Sequence, residues 1–236
     1  MRLSEIFISS NNPGGKLFMK TISNNIRIGG IVLTLSGILF LVLEFISASA
    51  WKNPAYNYAT YWMSDLGVPI ETGVAKHIVN SPWYALMNLN FVSFGVLLIV
   101  GFLLIASLFE KKKAFRMTIL TFIYAFGPII IGTFPGYEFS LQFMHPIGAM
   151  FTIIGESLHA ITTGRYLGRI LNSRMYQAIS IVLAIIAATG FVITLTQSYP
   201  DNIQGIIERT CIYPVIIWPV ITGAMLLTKS GRIQVA

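Results

Sequence analysis

The sequence predicts an all-α integral membrane protein, a six-transmembrane-helix bundle with both termini cytoplasmic. Three observations predict it. Of the 236 residues, 55% are hydrophobic and only 11% are charged, with a mean hydropathy of +0.71, whereas soluble domains carry about 25% charged residues. Six apolar segments each approach or exceed the roughly 20 residues that a helix needs to cross a bilayer core of about 30 Å. The basic residues fall almost entirely on one side of those segments. The charge deficit excludes a soluble globular protein, and the high apolar content excludes disorder.

The spans cover residues 28–50, 84–109, 117–134, 143–165, 176–197 and 206–227. Residues 1–27 are read as a cytoplasmic tail, 28–227 as one transmembrane domain and 228–236 as a second cytoplasmic tail. The longest connection, 51–83, is too short for an independent soluble domain. Arg2, Lys16, Lys20, Arg27, Lys111, Lys112, Lys113, Arg116, Arg165, Arg169, Arg174, Lys229 and Arg232 share one side. Only Lys52, Lys76 and Arg209 lie on the other. Basic loops stay in the cytoplasm, so a multi-pass cell (plasma) membrane protein is expected. Ala48-Ser49-Ala50 resembles a signal-peptide cleavage site, but the apolar run before it exceeds the usual length of about 7–15 residues. The excess of 16 Lys and Arg over 9 Asp and Glu belongs to cytoplasmic loops and does not imply nucleic acid. The expected partners are membrane lipids and a protein partner within a membrane complex.

Polarity inside a span costs about 3 kcal/mol or more for an ionisable group unless it is paired or hydrated. Glu44 and Glu156 fall inside spans. His145, Gly148, Thr152, Glu156 and His159 recur every three or four residues, which keeps them on one helix face. Thr152, Glu156 and His159 therefore form an intramembrane polar stripe. It is either a buried pocket or proton path, or a face that hydrogen-bonds to neighbouring helices. Glu156-x-x-His159 is half of a di-metal carboxylate signature, and the second copy is missing. With three histidines (His77, His145, His159) and the single Cys211, no metal site and no cofactor are expected.

A second polar group gathers at the outer boundary: Ser64, Asp65, Asn88, His145, Glu208 and Arg209. Ser64 or Asp65 can cap a short interfacial helix, or Asp65 can meet a cation at the bundle mouth. At least one of Asn88 and Asn90 should face inward. Arg209 is expected either to close the outer end through a salt bridge to Asp65 or Glu138, or to bind an anion with its planar fork. A Ser64–His145–Asp65 triad is a poor fit, because the acid must orient the far side of the imidazole. No catalytic residue is assigned.

Several stretches together resemble a known family. They are Tyr61–Gly67 (YWMSDLG), Asn88–Asn90, Gly127-Pro128 with Gly132–Pro135, His145-Pro146, and Gly205–Arg209 (GIIER). The chain resembles, from Ile28 to Leu227, the integral membrane family known as domain of unknown function 998. The resemblance implies a six-helix membrane fold with a polar cluster at its outer face, and implies no activity. Membrane hydrolases of the ceramidase and adiponectin-receptor type are a more distant analogy; the chain lacks their paired histidines. The resulting expectation is a non-enzymatic membrane protein, an accessory or assembly subunit or a small stand-alone factor. The first alternative is a module that binds or transports a lipid headgroup or small solute through the outer cluster and the Thr152–Glu156–His159 stripe. The second is a lipid-modifying hydrolase.

Overall fold

The computed structural model describes residues 13–69, 78–136, 141 and 143–229, with side chains of the first helix described from Asn24 onward. Lys76, His77 and Glu138, named above, lie outside the described residues. Six long helices carry the chain: α1 (Pro13–Ala50), α2 (Tyr84–Ile105), α3 (Lys111–Thr133), α4 (Met144–Ile170), α5 (Arg174–Thr196) and α6 (Gln204–Lys229). Short 3-10 turns stand at Ser64–Gly67, Ala106–Leu108 and Asp201–Ile203. No strand occurs among the described residues.

Among the described residues, five helices are long and apolar enough to cross a membrane: α1 from Asn24, α2 through Leu108, α3, α5, and α6 from Asp201. The fourth predicted span, 143–165, is the exception. Its helix, α4, is 27 residues long, about 40 Å, but is too polar to meet the same measure. The reason is its inverted amphipathicity. Thr152, Glu156, Ser157, His159 and Thr163 are buried against the other helices, whereas Met150, Phe151, Ile154 and Leu158 are exposed. Another boundary also differs: α3 starts at Lys111, so the Lys111–Lys113 run stands on the first turn of the helix rather than in a loop.

Each helix packs on its neighbours in chain order, and α6 returns to pack on α1. The six helices thus form a closed ring. Paired contacts run in opposite directions along each neighbouring pair. Thr121 meets His159 near the start of α3 while Gly127 packs on Thr152 further along, and Tyr176 meets Thr222 while Gly190 packs on Cys211. Glu44 meets Arg209 where α1 ends and α6 begins, and Gly30 packs on Gly223 at their other ends. All neighbours are therefore antiparallel, as short connections require.

Aromatic rings fill the centre. Phe102 stacks on Trp218 with centroids 5.5 Å apart, and the His159 imidazole stands edge-on 4.4 Å from Phe102. Polar groups in this core are matched in pairs. Trp218 donates from Nε1 to Ser180 Oγ at 2.9 Å, and the Tyr176 and Thr222 hydroxyls meet at 2.8 Å. Pro219 lies inside α6 and has no N–H to give the carbonyl four residues earlier. That carbonyl belongs to Val215, and the Tyr124 hydroxyl on α3 donates to it at 2.6 Å. A freed carbonyl within a membrane helix needs such a replacement donor.

Candidate functional site

At the end of the bundle that the basic-residue pattern predicts to be the outer one, the connection after α1 folds down over the start of α6. Trp51 and Tyr61 stack with centroids 5.1 Å apart, and Tyr56 packs against both. The loop lies so close to α6 that a Cβ at Gly205 would come within 2.3 Å of the Tyr61 carbonyl oxygen and 2.6 Å of that of Tyr58. Only glycine permits that approach. The Gly205 N–H donates to the Ala59 carbonyl at 2.8 Å, tying the first turn of α6 to the loop.

Arg209 holds this arrangement from inside. Its Nη1 donates to the carbonyls of Tyr58, Tyr61 and Gly205 at 2.9, 3.1 and 3.1 Å. Its Nη2 donates to Glu44 Oε1 on α1 at 3.1 Å and to the Tyr56 hydroxyl. The guanidinium also lies 4.6 Å from the Tyr58 ring centroid, a cation–π distance. Burial raises the Tyr56 phenol above its ordinary range, with Arg209 pulling the other way; burial pushes Tyr58 up to about 12. Among the described residues the acid set against Arg209 is therefore Glu44 and not the expected Asp65; Glu138, the other expected partner, lies outside the described residues. The physical reason is ring closure: α6 packs on α1, and Glu44 stands at the height of Arg209. Both Nη groups are engaged by the chain's own acceptors, and Nε, without a partner among the described residues, is itself buried, so no open fork faces an incoming anion.

Glu208 faces the other way. Its carboxylate accepts from the backbone N–H groups of Met63 and Ser64, the latter at 3.4 Å. These donors stand at the start of the Ser64–Gly67 turn, where Met63, the residue before it, provides no side-chain cap. The expected cap from Ser64 or Asp65 is thus supplied across the bundle by α6. Asp65 is buried and its Oδ2 accepts from the Trp62 N–H at 3.0 Å. Asn88 donates to the Gly67 carbonyl at 2.8 Å, and a Cβ at Gly67 would fall 2.3 Å from Asn88 Oδ1. Asn90 is buried and donates to the Phe40 carbonyl on α1 at 2.9 Å. Both asparagines therefore turn inward. The ring of His145 contacts the Phe134 carbonyl through Nδ1 at 3.1 Å. A carbonyl only accepts, so Nδ1 carries the proton.

Beneath the Trp62–Ser64 segment lies a cavity of about 460 Å³, enclosed by α2 to α6. Ser64, His145, Thr194, Glu208 and Cys211 stand among its lining, and the rest is apolar: Phe91, Ile131, Ala149, Ile153, Phe191 and Ile212 among others. Pro146, Met150 and Leu195 line it and are also exposed, so it opens sideways between the outer ends of α4 and α5. Further along, the same two helices close up: a Cβ at Gly164 would sit 2.4 Å from Ser180, and one at Gly168 2.2 Å from Gln177. A second cavity of about 450 Å³ shares the Trp62, Ser64, His145 and Pro146 wall.

Residues 34–225 match the model of the family described as Protein of unknown function (DUF998). The chain belongs to that family. No curated protein and no solved structure matches it. The matched stretch holds Glu44, the Ser64–Gly67 turn, α2 to α5 and the Glu208-Arg209 pair, so every outer contact described above lies within the DUF998 region.

The polar stripe of α4 in this DUF998 chain is buried along its length: Thr152 is 3% exposed, Glu156 and His159 are 0%. Its members do not join one another by hydrogen bonds among the described residues. Thr152 bonds back to the Gly148 carbonyl and packs on Gly127. His159 lies between Thr121 and Thr163 at 2.9 and 3.4 Å. Glu156 Oε2 accepts from Ser157 at 3.5 Å, while Oε1 has no partner. Among the described residues no three His, Cys, Asp or Glu side chains converge in a way that would hold a metal. Sequence reasoning missed Tyr56, Tyr58, Phe191 and Thr194. The loop tyrosines read as ordinary interfacial aromatics, and nothing in α5 distinguishes its cavity-facing residues from its lipid-facing ones.

Proposed function

We propose that this DUF998 protein is a non-enzymatic, six-span protein of the plasma membrane that binds an amphiphilic molecule in its outer half. Its termini are cytoplasmic on this reading. α4 counts as the sixth span because its exposed face is apolar from Met150 to Leu158 and its Arg165 and Arg169 lie at the basic end of the ring. At that end Lys229 donates to the Leu171 carbonyl at 2.7 Å.

The observation that carries the reading is the cavity of about 460 Å³ with its sideways opening. Protein interiors pack as densely as organic crystals and hold few voids larger than a water molecule. A largely apolar space with a few polar groups and a volume of about 300–1,000 Å³ is characteristic of a ligand site. An opening between α4 and α5 faces the membrane, which is where an amphiphile would arrive. The test is native mass spectrometry of the full-length protein released from mild detergent. Wild type should carry an amphiphile adduct, and Ala149→Trp, which fills the cavity, should lose it while keeping its helical circular dichroism. Absence of any adduct on wild type would sink the proposal.

A second reading, an accessory or assembly subunit, is favoured by the outer clamp. Glu44, Arg209 and Glu208 are spent on holding loop, α1 and α6 together, which suits a scaffold. A stoichiometric protein partner in the same spectrum would select this reading.

A further inference from the structure

Resting on the binding reading above, we infer that the occupant of the cavity carries a hydrogen-bond-donating headgroup without negative charge, a long-chain alcohol or amine rather than an anionic phospholipid. The first argument is the hydrogen-bonding character of the polar end. His145 spends its Nδ1 proton on the Phe134 carbonyl, so its Nε2, in the neutral ring, is an acceptor. The Glu208 carboxylate lines the same cavity; each oxygen takes one backbone N–H and has further acceptor capacity. A headgroup placed between two acceptors must bring the donor itself, and O–H and N–H groups do so.

The second argument is charge. No Lys or Arg lines the cavity among the described residues. The nearest guanidinium, Arg209, has both Nη groups turned onto Glu44, Tyr56 and three backbone carbonyls. Of the described cations at this end, Arg209 is spent on those partners and Lys52 is not among the cavity's lining, whereas Glu208 is. A phosphate pressed against Glu208 would meet like charge in a medium of low dielectric, where such repulsion is strong. The exposed arginines Arg165, Arg169 and Arg174 sit at the opposite end of the helices, beyond the reach of a headgroup at His145. The hydrocarbon chain fits the apolar remainder of the wall, between Ala149, Ile153 and Ile131.

The experiment offers the delipidated full-length protein an equimolar mixture of a long-chain alcohol, a long-chain amine and phosphatidylglycerol, and reads bound mass by native mass spectrometry. The alcohol or the amine should be retained about tenfold over phosphatidylglycerol, a tenfold ratio being about 1.4 kcal/mol. Which of the two wins tells whether Glu208 pairs with a charge or only accepts a hydrogen bond. Thr194→Lys places a cation beside the cavity and should raise the phosphatidylglycerol share; Ala149→Trp should abolish all three adducts. Phosphatidylglycerol bound as strongly as the others by wild type overturns the headgroup assignment and leaves the cavity reading standing. If wild type retains none of the three, or Ala149→Trp retains them unchanged, both readings fall.

Discussion

Arg209 Nη2 and Glu44 Oε1 lie 3.1 Å apart, with the two side chains 7% and 2% exposed. They join the last helix to the first at the outer end and so close the ring. A buried pair of this kind fixes geometry more than it adds net stability, yet removing one partner strands the other charge, at about 3–5 kcal/mol. Arg209→Met should therefore lower the thermal midpoint in detergent sharply. Glu44→Leu with Arg209→Met should lower it less than the sum of the single changes. Strict additivity in that double-mutant cycle would show that the pair is not coupled.

The Tyr124 and Pro219 relationship makes a second cycle. Tyr124→Phe leaves the Val215 carbonyl without its donor, and a buried unsatisfied acceptor costs about 1–3 kcal/mol. Pro219→Ala restores an N–H four residues along, so Tyr124→Phe should be markedly better tolerated in that background. Equal losses in both backgrounds would refute the replacement-donor account.

Glycine positions divide cleanly. Gly205→Ala drives a methyl to 2.3 Å from a backbone oxygen, and Gly67→Ala to 2.3 Å from the Asn88 amide oxygen. A Cβ at Gly136 would meet nothing within 4 Å among the described residues. Membrane yield and midpoint should fall most for Gly205→Ala, where the obstacle is backbone, less for Gly67→Ala, where a side chain can turn, and stay level for Gly136→Ala.

Glu156 is a poorly satisfied polar group of α4, since among the described residues its Oε1 has no partner and the residue is 0% exposed. Glu156→Leu removes a buried polar group that gains little from its surroundings and should raise stability by about 1–3 kcal/mol. A lower midpoint would show that the carboxyl makes contacts beyond Ser157.

Alkaline pH should loosen the outer clamp. Partial desolvation of Tyr58, which is 38% exposed, together with the nearby Glu44 pushes its phenol up from the ordinary 10.0 to about 12. Its folded value is raised, so the stability it contributes is intact below about pH 10 and is lost as pH rises towards 12. A phenolate-absorbance titration of wild type against Tyr58→Phe should show one late-titrating group missing from the variant. Loss of a group titrating at its ordinary value would contradict the burial.

Membrane character, helix number and the buried faces could be read from the chain because they depend on local composition and period. Asn90, Thr152, Glu156 and His159 are all buried, as their cost in lipid requires. Which partners they meet could not be read. Arg209 is 165 residues from Glu44, and Glu208 is 145 from Met63; no periodicity links such positions. The inverted amphipathicity of α4 could be anticipated from its stripe, but the space beside it could not, since a cavity is made by where five helices stop touching.

By itself, then, the sequence determined a helical membrane protein, its helical segments and the cluster of motif residues near one end. Hydrophobicity and charge act residue by residue, so a linear chain suffices to express them. The tertiary structure alone decided that α6 closes on α1, that Glu44 rather than Asp65 takes Arg209, that Glu208 caps the Ser64 turn, and that α4 and α5 part to open a cavity. Those outcomes depend on shape complementarity between helices far apart in the chain, where a missing Cβ at Gly205 or Gly164 sets how closely two backbones approach.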